Sequence, residues 1–176
     1  AVAVRMDVAD EASVTEAFRE AVLAYGGVDI FVNNALAAAF GPFEETSLTD
    51  WNRNLGVLGT GTFLAAREAF KLMKAQGTGG SMIFIVSPNA VHAGQHAAAY
   101  GAAEALAAHL ARCIAVEGGA YGIRVNTILP DAVLQGPHIR NSERRTERAA
   151  AHGIESDRLE DDDRRRTALQ VSVYPR

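Results

Sequence analysis

Four apolar runs in this chain stop at polar or turn-forming residues: Asp7, Asn33 with Asn34, Ser87, and Pro130 with Asp131. Two carboxylates, two amides and a hydroxyl can hold a polar ligand, whereas the runs before them can only pack. Each of these residues alone is equally well explained as a strand terminator, but their recurrence at every run end hints at a site. Tyr100 stands thirteen residues after Ser87, and Glu104 four after Tyr100. On a helix, i and i+4 share a face, so the phenol and the carboxylate come together. A phenol with a reference pKa of about 10 is ionised in only about one molecule in a thousand at pH 7. A carboxylate beside it pushes that pKa further up.

The elements that would position these groups follow from hydrophobic period. Residues 1–8 read as a strand. Residues 11–25 read as a helix, with Val14, Ala17, Phe18, Ala21 and Val22 on one face and Gly26-Gly27 as its stop. Residues 28–33 and 81–86 are buried-strand runs. Between them residues 48–76 read as one helix, with Ser47 or Thr49 as its cap and the glycines at 77–80 as its end. Residues 97–117 form an alanine-rich helix and residues 123–129 a strand ended by Pro130. Strands alternating with long helices imply parallel βαβ units. The expected fold is therefore α/β, a doubly wound, mostly parallel, Rossmann-like sheet. In such sheets ligands bind beyond the carboxyl ends of the strands. Gly56-Val-Leu-Gly-Thr-Gly61 imitates a phosphate-binding fingerprint but lies inside a helix, so it is read as a close-packing surface. Residues 1–137 are expected to form the core, and the more polar 138–176 a helical flap or substrate loop of the same domain.

The chain has 176 residues, 48% apolar and 22% charged, with a net charge of -4, as expected of an ordinary globular domain with a real core. That balance does not favour nucleic acid or an anionic membrane, and no run of about 18 apolar residues suggests a membrane span. Arg144, Arg145 and Arg148 alternate with Glu143 and Glu147, which reads as a solvated face. Cys113 is the only cysteine, so no disulfide within one chain is possible, and its apolar neighbours suggest a buried position. The histidines have no metal-ligand spacing, so no metal is expected. No signal peptide opens the chain, and a cytoplasmic location is the default expectation.

Ser87 and Tyr100, at that spacing, resemble the serine and tyrosine of the short-chain dehydrogenase/reductase family. Asp7-Val8 is similar to the family's adenine-facing pair, Asn33-Asn34-Ala35 to its Asn-Asn-Ala-Gly turn, and residues 123–130 to its sixth strand and cofactor turn. The resemblance covers residues 1 to about 137. It implies an oxidoreductase that uses NAD or NADP, with Ser87, Tyr100 and Glu104 at the catalytic centre. Asp7, Val8, Asn34, Ala35, Tyr100, Pro130, Ala132 and Val133 would contact the cofactor. Ser87 would orient the substrate oxygen while the tyrosine moves its proton. In the family a lysine four residues after the tyrosine lowers the tyrosine pKa and holds ribose. Here Glu104 occupies that place. It could accept ribose hydroxyl bonds but could not activate Tyr100, so low turnover is expected. Leu36 replaces the last glycine of the Asn-Asn-Ala-Gly turn, and Leu58 falls where the family's helix asparagine stands.

The family's glycine-rich loop would precede Ala1, so weak cofactor binding is expected. The sheet is expected to be incomplete, lacking the first two strands and the last. Residues 1–7 must then either pair with 28–33 or leave edges exposed. Stretches at 69–77, 109–113 and 130–136, with the tail, also resemble the dehydrogenase domain of bifunctional rhamnulose-phosphate aldolase/short-chain alcohol dehydrogenases. That resemblance implies a small alcohol or aldehyde substrate such as lactaldehyde. A homo-oligomer is expected through helices 48–76 and 97–117, where Ala99, Ala103, Ala107 and Ala111 would suit either subunit packing or packing onto the sheet. The alternative expectation is a silent relative or fragment acting only as a binding or assembly module.

Overall fold

The structure, a computed structural model, describes residues 1–130, 146, 149–150 and 153–159. The chain divides into two compact units, residues 1–129 and 130–176.

In the first unit, helix α1 spans Glu11–Tyr25 and buries Val14 and Ala17. Asp10 caps it by accepting the Ala12 N–H at 3.0 Å. Strand β1 follows at Ile30–Asn33, helix α2 at Leu48–Asn54, helix α3 at Thr62–Gln76, strand β2 at Gly80–Ile85, helix α4 at Ala98–Gly118 and strand β3 at Ile123–Ile128. The three strands make one parallel sheet in the order β1-β2-β3, with Phe31 opposite Met82 and Met82 opposite Val125. The α/β parallel architecture expected from the alternating pattern is present.

Alternation along each strand decides which face is covered. Met82 and Phe84 of β2 are fully buried. They join Ala66, Ala69 and Met73 of α3 and Ala107, Ala108 and Ala111 of α4 in one core. Burying side chains of this size stabilises the fold by roughly 1.5–3 kcal/mol each. A second cluster joins Val14 of α1 to Leu64 and Ala65 of α3, with Phe31 of β1 against it. The opposite face of the sheet is exposed at Ile30 (66%), Val32 (53%) and Ile128 (49%).

Three expectations change, and one open alternative is decided. Residues 1–7 form no strand, because β1 has only β2 as its ladder partner and nothing in the sheet pairs with them. They run up to a turn at Asp7–Asp10 that leads into α1, and among the described residues β1 pairs with β2 alone. The helix read over 48–76 is interrupted by a π-helical segment, Leu55–Gly61. Its glycines are poor helix formers and permit close approach. A Cβ at Gly59 would contact Leu106, and one at Gly61 would lie 2.7 Å from Val8 Cγ2. Cys113 is exposed, because it lies off the buried stripe of α4. That stripe is Ala99, Ala103, Ala107 and Ala111, at most 4% exposed, so these alanines pack inside the chain and are not a seam between subunits.

In the second unit, Ala149 and Leu159 are buried together with Ile154 packed against them, and Ser156–Arg158 form a short 3-10 turn.

Candidate active site

The site is built where β2 runs out. The β1–β2 ladder ends at Asn33 opposite Phe84, and the Val86 N–H pairs with Ile128 of β3 at 2.9 Å. The next N–H, that of Ser87, has no strand to receive it. A carboxylate oxygen of Glu104 accepts it at 3.1 Å. Glu104 is only 3% exposed, carried inward on the same turn of α4 as Ala103. Ser87 Oγ accepts from the Asn89 main-chain N–H at 3.2 Å and from Asn89 Nδ2 at 3.1 Å. These bonds cap a 3-10 turn at Pro88–Ala90.

Tyr100, half-buried in the first turn of α4, completes the group. Its hydroxyl interacts with the Ser87 hydroxyl and with Glu104. Burial holds the Tyr100 pKa well above the usual phenol range; the Ser87 bond pulls it down, and the Glu104 charge pushes it up again. Burial also raises the Glu104 carboxyl, against the opposing effect of its bonds to Tyr100 and to the Ser87 N–H. The three residues that the sequence singles out for chemistry are thus in mutual contact.

The wall of the site comes from the loop after β1. Phe40 lies against Tyr100 with ring centroids 4.9 Å apart. Asn54 fixes this loop. Fully buried at the end of α2, it accepts the Ala39 N–H at 3.2 Å and donates to the Ala39 carbonyl at 3.1 Å. Gly41 donates to the His96 carbonyl at 2.9 Å, and His96 adopts a left-handed φ of 56°. His92, Gln95 and His96 are all exposed loop residues. Phe40, Asn54 and Asn89 were not selected from sequence. A mid-helix asparagine was the one visible signal, and its partner lies fifteen residues back in a loop.

The other residues expected to meet a cofactor are placed as follows. Asn33 is buried and donates to Thr62 Oγ1 at 3.1 Å, while Asn34 is exposed and Ala35 half-buried. Val8 packs on Gly61, next to Thr62, so the Asp7–Val8 turn is brought beside the end of β1. The Asp7 carboxylate is exposed and accepts the Ala9 N–H at 2.9 Å. Pro130 is half-buried. Ala132 and Val133 lie outside the described residues. Among the described residues no group of His, Cys, Asp or Glu is arranged to hold a metal ion, and no helix is long and apolar enough to cross a membrane.

A family model described as enoyl-(acyl carrier protein) reductase matches residues 1–163. Over 73% of the chain, at 30% identity and a TM-score of 0.70, the structure is similar to 52% of a short-chain type dehydrogenase/reductase from Mycobacterium marinum. The chain belongs to the short-chain dehydrogenase/reductase family. This short-chain dehydrogenase/reductase chain is 62% identical over 175 residues to the uncharacterized oxidoreductase YuxG of Bacillus subtilis, covering 99% of the chain and 25% of that protein. It is 39% identical over 128 residues to a D-threitol dehydrogenase of Mycolicibacterium smegmatis, 73% of this chain and 49% of that one. The structure of sorbitol-6-phosphate 2-dehydrogenase from Erwinia amylovora aligns with a TM-score of 0.88 at 28% identity, over 96% of this chain and 65% of that one. The chain therefore spans a quarter to about two thirds of the lengths of these relatives. Family membership favours an oxidoreductase over a module that serves only in assembly.

For the short-chain dehydrogenase/reductase family the cofactor is NAD or NADP. The strand ends fit such a group in their donors and acceptors, with Asp7, Asn34 and Ala35 open beside β1 and Tyr100 beside Ser87. The fit departs at Glu104. This carboxylate is buried and bonded to Ser87 and Tyr100, so it is not turned out to take the ribose hydroxyls expected of position 104.

Proposed function

We propose that this chain carries the substrate-oxygen centre of an NAD(P)-dependent oxidoreductase acting on a small hydroxylated alcohol or aldehyde, such as lactaldehyde. The contact between Ser87 and Tyr100 at the carboxyl end of β2 carries this reading. Two relatives named for a polyol and a polyol phosphate support a small hydroxylated substrate. The alignment with a quarter of a longer oxidoreductase supports a place as the dehydrogenase part of a larger polypeptide, the arrangement of the aldolase-linked enzymes.

When bound, the cofactor supplies or accepts the hydride; the protein's own task is to manage a proton. Asn89 occupies the Ser87 oxygen as an acceptor from two donors, which leaves the Ser87 O–H to be given away. The Ser87 hydroxyl then orients a substrate oxygen beside Tyr100. Tyr100 stays protonated at neutral pH because of its burial and Glu104. It is thereby present in its donor form for the oxygen of a carbonyl under reduction, though the raised pKa makes it a weak acid, and at neutral pH it is poorly suited to accept a proton from an alcohol under oxidation. Asp7, Val8, Asn34, Ala35 and Tyr100 would hold the cofactor, weakly. A homo-oligomer would form through the outward sides of α3 and α4.

A hydride-transfer assay with NADH or NADPH and small hydroxyaldehydes tests the reading. The expected result is slow reduction at neutral pH and alcohol oxidation that climbs with pH through the alkaline range without levelling off below pH ~10, the ordinary phenol value. Tyr100→Phe should lower reduction by about 100-fold or more, the usual weight of a positioned acid. A Tyr100→Phe rate equal to that of the wild type would refute the proposed role.

A further inference from the structure

The residue at position 104 answers a structural need as well as departing from a pattern. The β1–β2 ladder ends at Phe84, three residues before Ser87, so the Ser87 N–H emerges from the sheet without a ladder acceptor. A main-chain N–H shielded from water needs a partner; the half-buried Ser87 N–H has the carboxylate of Glu104, itself 3% exposed, at 3.1 Å. Glu104 also stands one turn after Tyr100 on the same face of α4. Glu104 therefore ties the main chain of one reacting hydroxyl to the helix that carries the other.

We propose that Glu104 is a positioning residue, a clasp from α4 to the end of β2 that sets Ser87 against Tyr100, and that this site requires a hydrogen-bond acceptor at position 104. A lysine there would bring three donors and no acceptor. It would face the Ser87 N–H donor to donor, so restoring the family's residue alone would disturb Ser87. What the clasp does for Ser87 is structural; its effect on turnover rests on the oxidoreductase reading.

The test uses the purified protein with Glu104→Gln, Glu104→Leu and Glu104→Lys, each checked for native circular dichroism. The Ser87 amide proton is followed by NMR, for chemical shift and exchange protection, beside hydride-transfer kinetics. The clasp predicts a protected Ser87 amide in the wild type and in Glu104→Gln, which keeps an acceptor oxygen. It predicts loss of that protection in Glu104→Leu and Glu104→Lys. Turnover should fall about tenfold or more in Glu104→Leu with KM little changed, as misplacing a reacting group by about an ångström does, and Glu104→Gln should recover most of it. An unchanged Ser87 amide in folded Glu104→Leu overturns the proposal. So does a folded Glu104→Gln that loses Ser87 protection, or a Glu104→Lys that gains activity with Ser87 undisturbed. If Glu104→Leu does not fold, the Gln and Lys variants decide between the same outcomes. If the wild type transfers no hydride at all, the oxidoreductase reading fails while the amide signature still decides the clasp.

Discussion

At the scale of single residues, Glu104 shows how position can be legible and partner hidden. Its spacing from Tyr100 places the two on one helix face, and that contact is present. Its second partner, the Ser87 N–H, depends on where β1 stops pairing with β2, and no local pattern encodes that. The buried carboxyl also makes stability depend on pH. Burial raises its pKa above the ordinary 4.5 despite its two hydrogen bonds. The folded protein thus holds the Glu104 proton more tightly than the unfolded chain does. Stability from this group is full below pH 4.5 and declines as pH rises from there through the raised value. Glu104→Gln, which cannot ionise, should be more stable than the wild type at neutral pH, with the difference shrinking as pH falls to about 4.5. Urea denaturation at several pH values measures this, and a difference that grows toward acid would contradict the burial argument.

At the scale of elements, hydrophobic period located α1, β2, β3 and α4 nearly to their ends because each has a buried stripe bounded by turn residues. It failed where formation depends on a distant partner. Residues 1–8 have the apolar content of a strand, yet a strand exists only through its neighbours, and the sheet offers none. The π-helical segment was equally hidden, since three glycines within six residues leave a helical period undisturbed on paper. Their use is tertiary. Gly61 admits Val8 so closely that an added Cβ would stand 2.7 Å from its Cγ2 and 3.1 Å from its carbonyl oxygen. Because one of those neighbours is main chain, the contact cannot relax by a rotamer change. Gly61→Ala should destabilise the protein by about 1–3 kcal/mol, the usual cost of overpacking, and should displace the Asp7–Val8 turn from β1. Gly56→Ala, with open space at its Cβ, is the control. Equal unfolding midpoints for the two variants would show that the Val8 contact does not constrain the fold.

At the scale of the whole molecule, what matters is which apolar surface remains once the core is built. The alanine stripe of α4 is buried within the chain, so any self-association would use other residues. Two areas are left. One is the uncovered sheet face with Ile30, Val32 and Ile128; the other lies on the helices, where Phe63 of α3 is 45% exposed and Leu106 of α4 is 43% exposed. The helical pair is linked through Gly59. Leu106 reaches to 3.5 Å of a Cβ built at Gly59, one turn before Phe63. Helices present apolar ridges that a symmetric copy can interlock, whereas an open strand edge favours unlimited pairing. If closed oligomers form through α3 and α4, Leu106→Glu should reduce the mass seen by size-exclusion chromatography with light scattering. The unfolding midpoint of each chain should barely change, because exposed substitutions usually shift stability by no more than about 0.5 kcal/mol. Ile30→Lys should leave that mass unchanged and suppress only slow, concentration-dependent aggregation. The reverse result, a smaller species with Ile30→Lys and none with Leu106→Glu, would place assembly on the sheet face and remove α3 and α4 from the interface.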